Sequence, residues 1–490
     1  MKSKSTVFAL TLVAIAATVG CGSSGNLIPP TLNGNYSNAS LKGSYVYQVH
    51  GFDSNGNPYR QIGVFTADGN GSITGGSDDS SLTASGTQVS GSYNVSKDGT
   101  GVIGINTSLG PLNWAITLAS TWQLQLIEAD SFVNAGGTAE LQDSTAVTTI
   151  PTGSFVFRIH QEQSAESQAP AGEAGVLAFS NGAGSGSMDQ NLAGTFTSPN
   201  VTSTLNAPSG VGRGTGTLLN GGTNFTTNFV YYVVNSSKFY ILVTNVSAVG
   251  SGSAELQSGA VANGLSGSYA FGSRGDDGNF FAGIATVGQF SASSGAMSGT
   301  EDINQDGTVS SSVAISSCYT ASANGRVLVT SSSGGTCAST TDQVFWMVSP
   351  SRAFFVNAAS NAVEDGTADL QTASNFALST FTQQYSLAMD GLDTGAIDGI
   401  QQLLSRAGAM QFDGKGNLKL SEVANASALG ANNTFLSGTY TVGSNGRIVG
   451  TMSNSGGGLG LVMYAVSPSQ AYVLQTDQSL VTSGTIQLQQ

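Results

Sequence analysis

Apolar and polar residues alternate in short runs along most of the chain. In the first clear run, Tyr45, Tyr47 and Val49 fall on one side of an extended segment and Val46, Gln48 and His50 on the other, because successive strand side chains point to opposite faces. Turn dipeptides that tolerate positive φ separate such runs: Asn55-Gly56, Asp68-Gly69, Asn324-Gly325, Asp413-Gly414 and Asn445-Gly446. After residue 40 the pattern predicts about eight short strands, near 43–50, 59–67, 71–77, 87–95, 100–106, 112–118, 121–128 and 137–142. Strands joined by hairpins in chain order make an antiparallel meander. Only Gly399 to Arg406 reads differently, since Ile400, Leu403 and Leu404 have helical spacing and predict a short helix.

The whole pattern then recurs. Gly137-Thr138-Ala139-Glu140-Leu141-Gln142 returns as Gly252-Ser253-Ala254-Glu255-Leu256-Gln257, as Gly366-Thr367-Ala368-Asp369-Leu370-Gln371, and as Gly484-Thr485-Ile486-Gln487-Leu488-Gln489. Each copy opens alike, at Gly43-Ser44-Tyr45, Gly153-Ser154-Phe155, Gly267-Ser268-Tyr269 and Tyr385-Ser386-Leu387. A middle phrase recurs at Gly91-Ser92-Tyr93, Gly194-Thr195-Phe196, Ser317-Cys318-Tyr319 and Gly438-Thr439-Tyr440. A Gly-Arg turn marks three copies, at Arg213, Arg326 and Arg447, and Val-Ser-Pro closes a late strand at Pro350 and Pro468. Four copies at a near-constant period define β repeats at 41–143, 152–258, 264–372 and 380–490. The expected fold is all-β, four small eight-stranded barrels in a row, one per repeat, because closure removes exposed strand edges and places the opening aromatic beside the closing leucine. A two-sheet sandwich, or a propeller with two blades per repeat, is the alternative.

Composition narrows the function. Fifteen basic against 29 acidic residues give a net charge of -14, with no Lys/Arg cluster to displace phosphate counterions, which excludes nucleic acid as a partner. Only 9% of residues are charged and 39% are hydrophobic, the latter in regular short runs, so the chain is expected to fold. Cys318 and Cys337 stand 19 positions apart with no His nearby, which points to a disulfide rather than a metal site.

The N-terminus supplies the address. Met1-Lys2-Ser3-Lys4 is a basic start, and Val7 to Val19 is an apolar segment too short to span a bilayer but suited to export. Thr18-Val19-Gly20-Cys21 follows and resembles the lipobox of bacterial lipoproteins, with Thr18 where an aliphatic residue is more usual. That resemblance implies a signal peptide at 1–20, acylation of Cys21, and a membrane partner reached through the lipid. With Gly22 after the cysteine it implies the outer membrane, facing periplasm or cell surface. Residues 21–40, which include Pro29-Pro30, read as a flexible tether. Beyond this segment the chain is similar only to repetitive bacterial envelope lipoproteins.

Candidate chemistry is sparse. His50 and His160 are the only histidines and occupy equivalent positions, where the later copies have Arg274 and Asp390. Copies that disagree do not share a catalytic role, so these read as polar strand-end residues. Asp302, Asn304 and Asp306 match the start of a calcium loop, but its twelfth position is Val313 rather than Glu, and Asp306-Gly307 is more simply a hairpin turn. The loops Asp53-Ser54-Asn55-Gly56-Asn57 and Asp276-Asp277-Gly278-Asn279 read as solvated turns, and Trp114, Trp122 and Trp346 as core. No catalytic constellation holds register, and no cofactor is implied. The expected function is a non-enzymatic binding or structural array for polysaccharide or a surface protein, with a polysaccharide hydrolase or a barrel-type small-ligand carrier as alternatives.

Overall fold

The computed structural model describes residues 32–490 apart from 108, 132, 164–168, 278–282, 398–399 and 427–429. The signal segment 1–20, Cys21 and the tether up to residue 31 lie outside the described residues. The chain forms four closed antiparallel barrels of eight strands each, over 42–141, 153–256, 267–370 and 384–488. In barrel 1 the opening strand Lys42–Asp53 pairs with Pro58–Asp68 on one side and with Val133–Leu141 on the other, which shuts the cylinder. The repeat phrases explain the closure. Tyr45 sits opposite Leu141, Phe155 opposite Leu256, Tyr269 opposite Leu370 and Tyr385 opposite Leu488. Tyr269 and Tyr385 also donate their hydroxyls to the carbonyls of Pro350 and Pro468, which gives the Val-Ser-Pro phrase its purpose.

Each barrel is filled by its own side chains. In barrel 1 Tyr45 stacks on Phe65 and Tyr47 meets the edge of Trp114, all fully buried. Equivalent clusters fill the other three. A void among Phe155, Leu218 and Phe229 in barrel 2 measures about 20 Å³, the space of a single water. Cys318 and Cys337 are joined by a disulfide that ties the fringe strand Thr336–Cys337 to Thr308–Ala321.

The four barrels do not lie in a row. The outer face of each barrel's opening strands packs on the next barrel's sixth and seventh strands, and the fourth barrel packs on the first. Val46, Ile62 and Val64 meet Val230, Tyr232 and Leu242; Val156 and Val176 meet Trp346 and Phe354; Ala285 and Val287 meet Tyr464 and Leu474. Ala407 and Val423 then return to Ala115, Ile127 and Ala129 of barrel 1. Head-to-tail contacts whose rotation closes make a ring, here within one chain. The glutamine that ends each repeat phrase is the latch between neighbours. Its Nε2 donates to two carbonyls of the following barrel: Gln142 to Val211 and Val233, Gln257 to Asn324 and Met347, Gln371 to Asn445 and Ala465. Gln489 repeats the contact on Asp98 and Leu118 of barrel 1.

Four expectations need correction. The segment around Leu403 and Leu404 is not helical but belongs to the strand Ile400–Phe412, and residue 399 lies outside the described residues. Leu403 and Leu404 are both buried because this strand has the barrel 4 interior on one side and barrel 1 on the other, and a strand covered on both faces loses its alternation. The last part of the expected tether is docked, with the Tyr36 N–H donating to the Lys97 carbonyl and its hydroxyl to the Gln490 carbonyl. Trp122 is 52% exposed rather than core. Tyr93, Tyr319 and Tyr440 do share one role, donating to the carbonyls of Leu41, Leu265 and Phe381. Phe196 does not, since it lies on the fringe strand Thr195–Thr197.

Candidate functional site: a polar cavity on the ring axis

Closing the ring leaves a cavity of about 730 Å³, open to solvent and lined by residues of all four barrels. Its walls come from the outward faces of the opening, seventh and last strands of each repeat. Because these strands lie against the axis, one column of the repeat becomes a ring of side chains. His50, His160, Arg274 and Asp390 form such a ring, and the differences between copies are complementary charges. Asp390 Oδ2 lies 3.1 Å from His50 Nε2 and accepts from Arg274 at 2.9 Å, so it serves both flanking barrels. His160 Nδ1 lies 2.6 Å from Asp365 Oδ2, and Arg158 Nε lies 3.3 Å from the other oxygen of Asp365. Between barrels 1 and 2, Arg60 donates to Glu162 at 2.8 Å.

A second layer uses the repeat-end acids. Lys238 of barrel 2 donates to Glu140 of barrel 1, and Arg352 of barrel 3 bridges Glu255 of barrel 2 and Asp369 of its own barrel. Tyr240 and Tyr472 donate to Glu140 and Asp369. Where barrel 4 meets barrel 1 the layer is uncharged: Gln125 donates to Thr485. Both histidines and five of the fifteen basic residues line this one cavity.

The electrostatics follow from burial and pairing. Burial, then the Arg274 charge, lowers His50 to about 4, which leaves it neutral at physiological pH. Burial would raise Asp390, but His50, Arg274 and Arg60 outweigh it and hold the carboxyl at about 2. Asp365 is likewise held low by His160 and Arg158 against its own burial, and Glu255 by Arg352 and Lys238. Acids with the opposite shift lie inside the barrels. Burial raises Glu128, and lifts Glu173 and Glu301 to about 7.

The sequence candidates are thus redistributed. His50 and His160, expected as separate strand ends, are brought to one axis. Asp302 faces barrel 4, where Arg447 donates to both its oxygens at 2.8 and 2.6 Å and Tyr464 donates at 2.7 Å. Asn304 donates to the carbonyls of Gln475 and Leu480, and Asp306 and Gly307 form the hairpin turn with positive φ. The calcium-loop residues are therefore spread over a barrel junction and a turn. Asp53 accepts from the backbone of Asn55 and Asn57 and closes its own hairpin. Asp276 lines the cavity, while residues 278 and 279 of that loop lie outside the described residues. Trp114 is core, but Trp346 belongs to a junction and donates to Asp189 at 2.9 Å. Arg60, Arg158, Glu162 and Asp365 escaped the sequence reading. The signal available for them was a charged column in register across copies, in a chain with few charges.

No family model matches this chain, and no curated protein does. Among solved structures it is similar to the isotype 1 transferrin binding protein B of serogroup B Neisseria meningitidis, at 9% identity over 75% of this chain and 83% of that one, with a TM-score of 0.20. It is also similar to a double mutant of the transferrin binding protein B of Haemophilus parasuis Hp5, at 8% identity over 74% and 82%, with a TM-score of 0.17. At such scores the whole chains do not superimpose, and function rests on this molecule's own residues.

Proposed function

We propose that this chain is a non-enzymatic binding lipoprotein of the bacterial envelope, held to the outer membrane through Cys21, whose ligand site is the axial cavity shared by its four barrels. The observation that carries this reading is the cavity of about 730 Å³, within the size range of small-molecule sites and built by every repeat at once. The barrels themselves are packed with aromatic side chains, so a carrier role for an individual barrel is not favoured. Nor do the acids suit hydrolysis. Glycoside cleavage uses a carboxyl kept protonated beside an ionised one, whereas Asp365, Asp390 and Glu255 at the cavity are all held low and ion-paired.

The lining also selects the ligand. Its charges pair with one another, so a charged organic solute would have to break a pair to bind. What remains are neutral donors and acceptors such as Gln48, Gln123, Ser251 and Ser253, beside the rings of Phe52 and Phe354. This combination suits a short neutral oligosaccharide, hydroxyl-rich at its rim and apolar on its sugar faces. Calorimetry against neutral di- and trisaccharides, with Ser253→Trp as a plug of the cavity, tests the reading. Binding by the natural protein that the plug removes is the expected result. No heat at millimolar sugar, or equal heat from the plugged variant, would refute it.

A further inference from the structure

His160, Glu162 and Asp276 bring ligand atoms to within 4.8 Å of one another at the seam between barrels 2 and 3. His160 and Glu162 lie on the same face of the strand Gly153–Gln163, two positions apart, and Asp276 arrives from the strand Gly267–Asp277 of the next barrel. We propose that these three side chains form a binding site for a divalent transition-metal ion, with Zn²⁺ the best-suited probe, and that the ion's remaining positions open into the axial cavity.

The geometry has the features such a site needs. Ligand atoms about 2.1 Å from a metal lie roughly 3 to 3.5 Å apart, so the cluster must tighten by little more than an ångström. His160 is already oriented. Its Nδ1 lies 2.6 Å from Asp365 Oδ2, which assigns the Nδ1 proton to that contact and leaves Nε2 turned to Glu162 at 3.9 Å, beyond hydrogen-bond distance. A carboxylate behind a histidine is the arrangement that fixes the tautomer of a metal ligand and raises its basicity. Glu162 is 6% exposed and His160 only partly exposed, so the ion would be held away from bulk water. One imidazole nitrogen and two carboxylate oxygens favour zinc or manganese over calcium, which takes oxygen alone. The site belongs to one junction, because barrel 1, which has His50 at the equivalent position, carries Phe52 where barrel 2 carries Glu162, and the position of His160 is filled by Arg274 in barrel 3 and Asp390 in barrel 4.

Arg60 sets the test, since it donates to Glu162 Oε1 at 2.8 Å and brings a like charge next to the ion. Removing it should strengthen binding, which a merely structural role for these side chains does not predict. Chelator-treated full-length protein is titrated with Zn²⁺ in a calorimeter, with folding of each variant checked by circular dichroism. One equivalent is expected for the natural protein. His160→Gln should lose at least tenfold in affinity and Asp365→Asn about tenfold. Arg60→Gln should gain roughly tenfold through loss of the nearby positive charge. Uptake of no zinc, uptake unchanged in His160→Gln, or weaker uptake in Arg60→Gln would each overturn the site. The metal assignment deepens the cavity reading by giving a saccharide hydroxyl an ion to bind, but the two fail separately. Saccharide calorimetry in the presence of chelator reports on the cavity alone.

Discussion

The junctions of the ring are of two kinds. At three of them an acid on the outer face of one barrel's third strand receives an arginine and an aromatic from the next barrel: Asp79 with Arg213 and Tyr232, Asp189 with Arg326 and Trp346, Asp302 with Arg447 and Tyr464. Each carboxylate is completely buried and each arginine binds it through two nitrogens. At the fourth junction all three members are replaced together, the acid by Val423, the arginine by Thr100 and the aromatic by Thr117. The seam there consists of small apolar residues and two reciprocal amides, Asn134 donating to Asn425 and Asn425 to Glu128. The difference has a physical reason. A buried ion pair is tolerable only while both partners stay together, since separating them strands a desolvated charge. Neighbouring repeats are joined by a short linker and remain together, whereas the closing junction joins the two ends of the described chain. A seam without an arginine clamp on a buried acid costs less when it is transiently apart.

This contrast can be broken most severely at a clamp. Asp189→Ala should cost about 3 kcal/mol in denaturant unfolding, because the buried Trp346 and the half-buried Arg326 would be left without their acceptor. A loss under 1 kcal/mol would mean that the clamps are ornamental and the two kinds of junction equivalent.

The axial charge ring links the closing junction to pH. His50 is lowered from an ordinary value near 6.5 to about 4, so the unfolded chain takes up its proton first as pH falls. Its contribution is complete above the unfolded value and is lost between about pH 6.5 and 4, by about 3 kcal/mol. The buried Glu173 and Glu301, both raised to about 7, slope the opposite way, with stability lost as pH rises from about 4.5 to 7. The measurement is therefore the difference between the natural protein and His50→Gln. It should shrink on acidification, and a difference flat with pH would remove His50 from the account.

Deleting Gln489 and Gln490 removes the latch on Asp98 and Leu118 and the contact with Tyr36, worth about 2 kcal/mol in hydrogen bonds. Small-angle scattering should then show an opened, larger particle. An unchanged radius would show that the apolar seam alone holds the ring. The smallest effect is a gain. Thr117 is fully buried and its Oγ1 has no partner, so Thr117→Val should stabilise the closing junction by about 1 kcal/mol, read as a raised midpoint in thermal unfolding.

Much of the molecule was legible beforehand because local and periodic signals carried it. The pairing of Tyr45 with Leu141 followed from the repeat phrases, and the eight strands per copy from alternation and turn residues. The cavity was not legible, although His50, His160, Arg274 and Asp390 align in the repeat. Their disagreement argued against a shared role while each copy was considered alone, and it became complementarity once the copies faced a common axis. The strand at Leu403 carries helical spacing for the related reason that burial by another barrel erases alternation.

By itself, then, the sequence determined what depends on neighbours along the chain: strands, turns, the period of the repeat and the closing of each barrel on its own core. The tertiary structure alone decided that the barrels form a ring, that Gln489 completes it on barrel 1, and that scattered charges from four copies meet at one cavity. Strand periodicity is set within a few residues, whereas contacts between His160 and Asp365 or between Gln489 and Asp98 join positions hundreds of residues apart, which only the packed ring brings together.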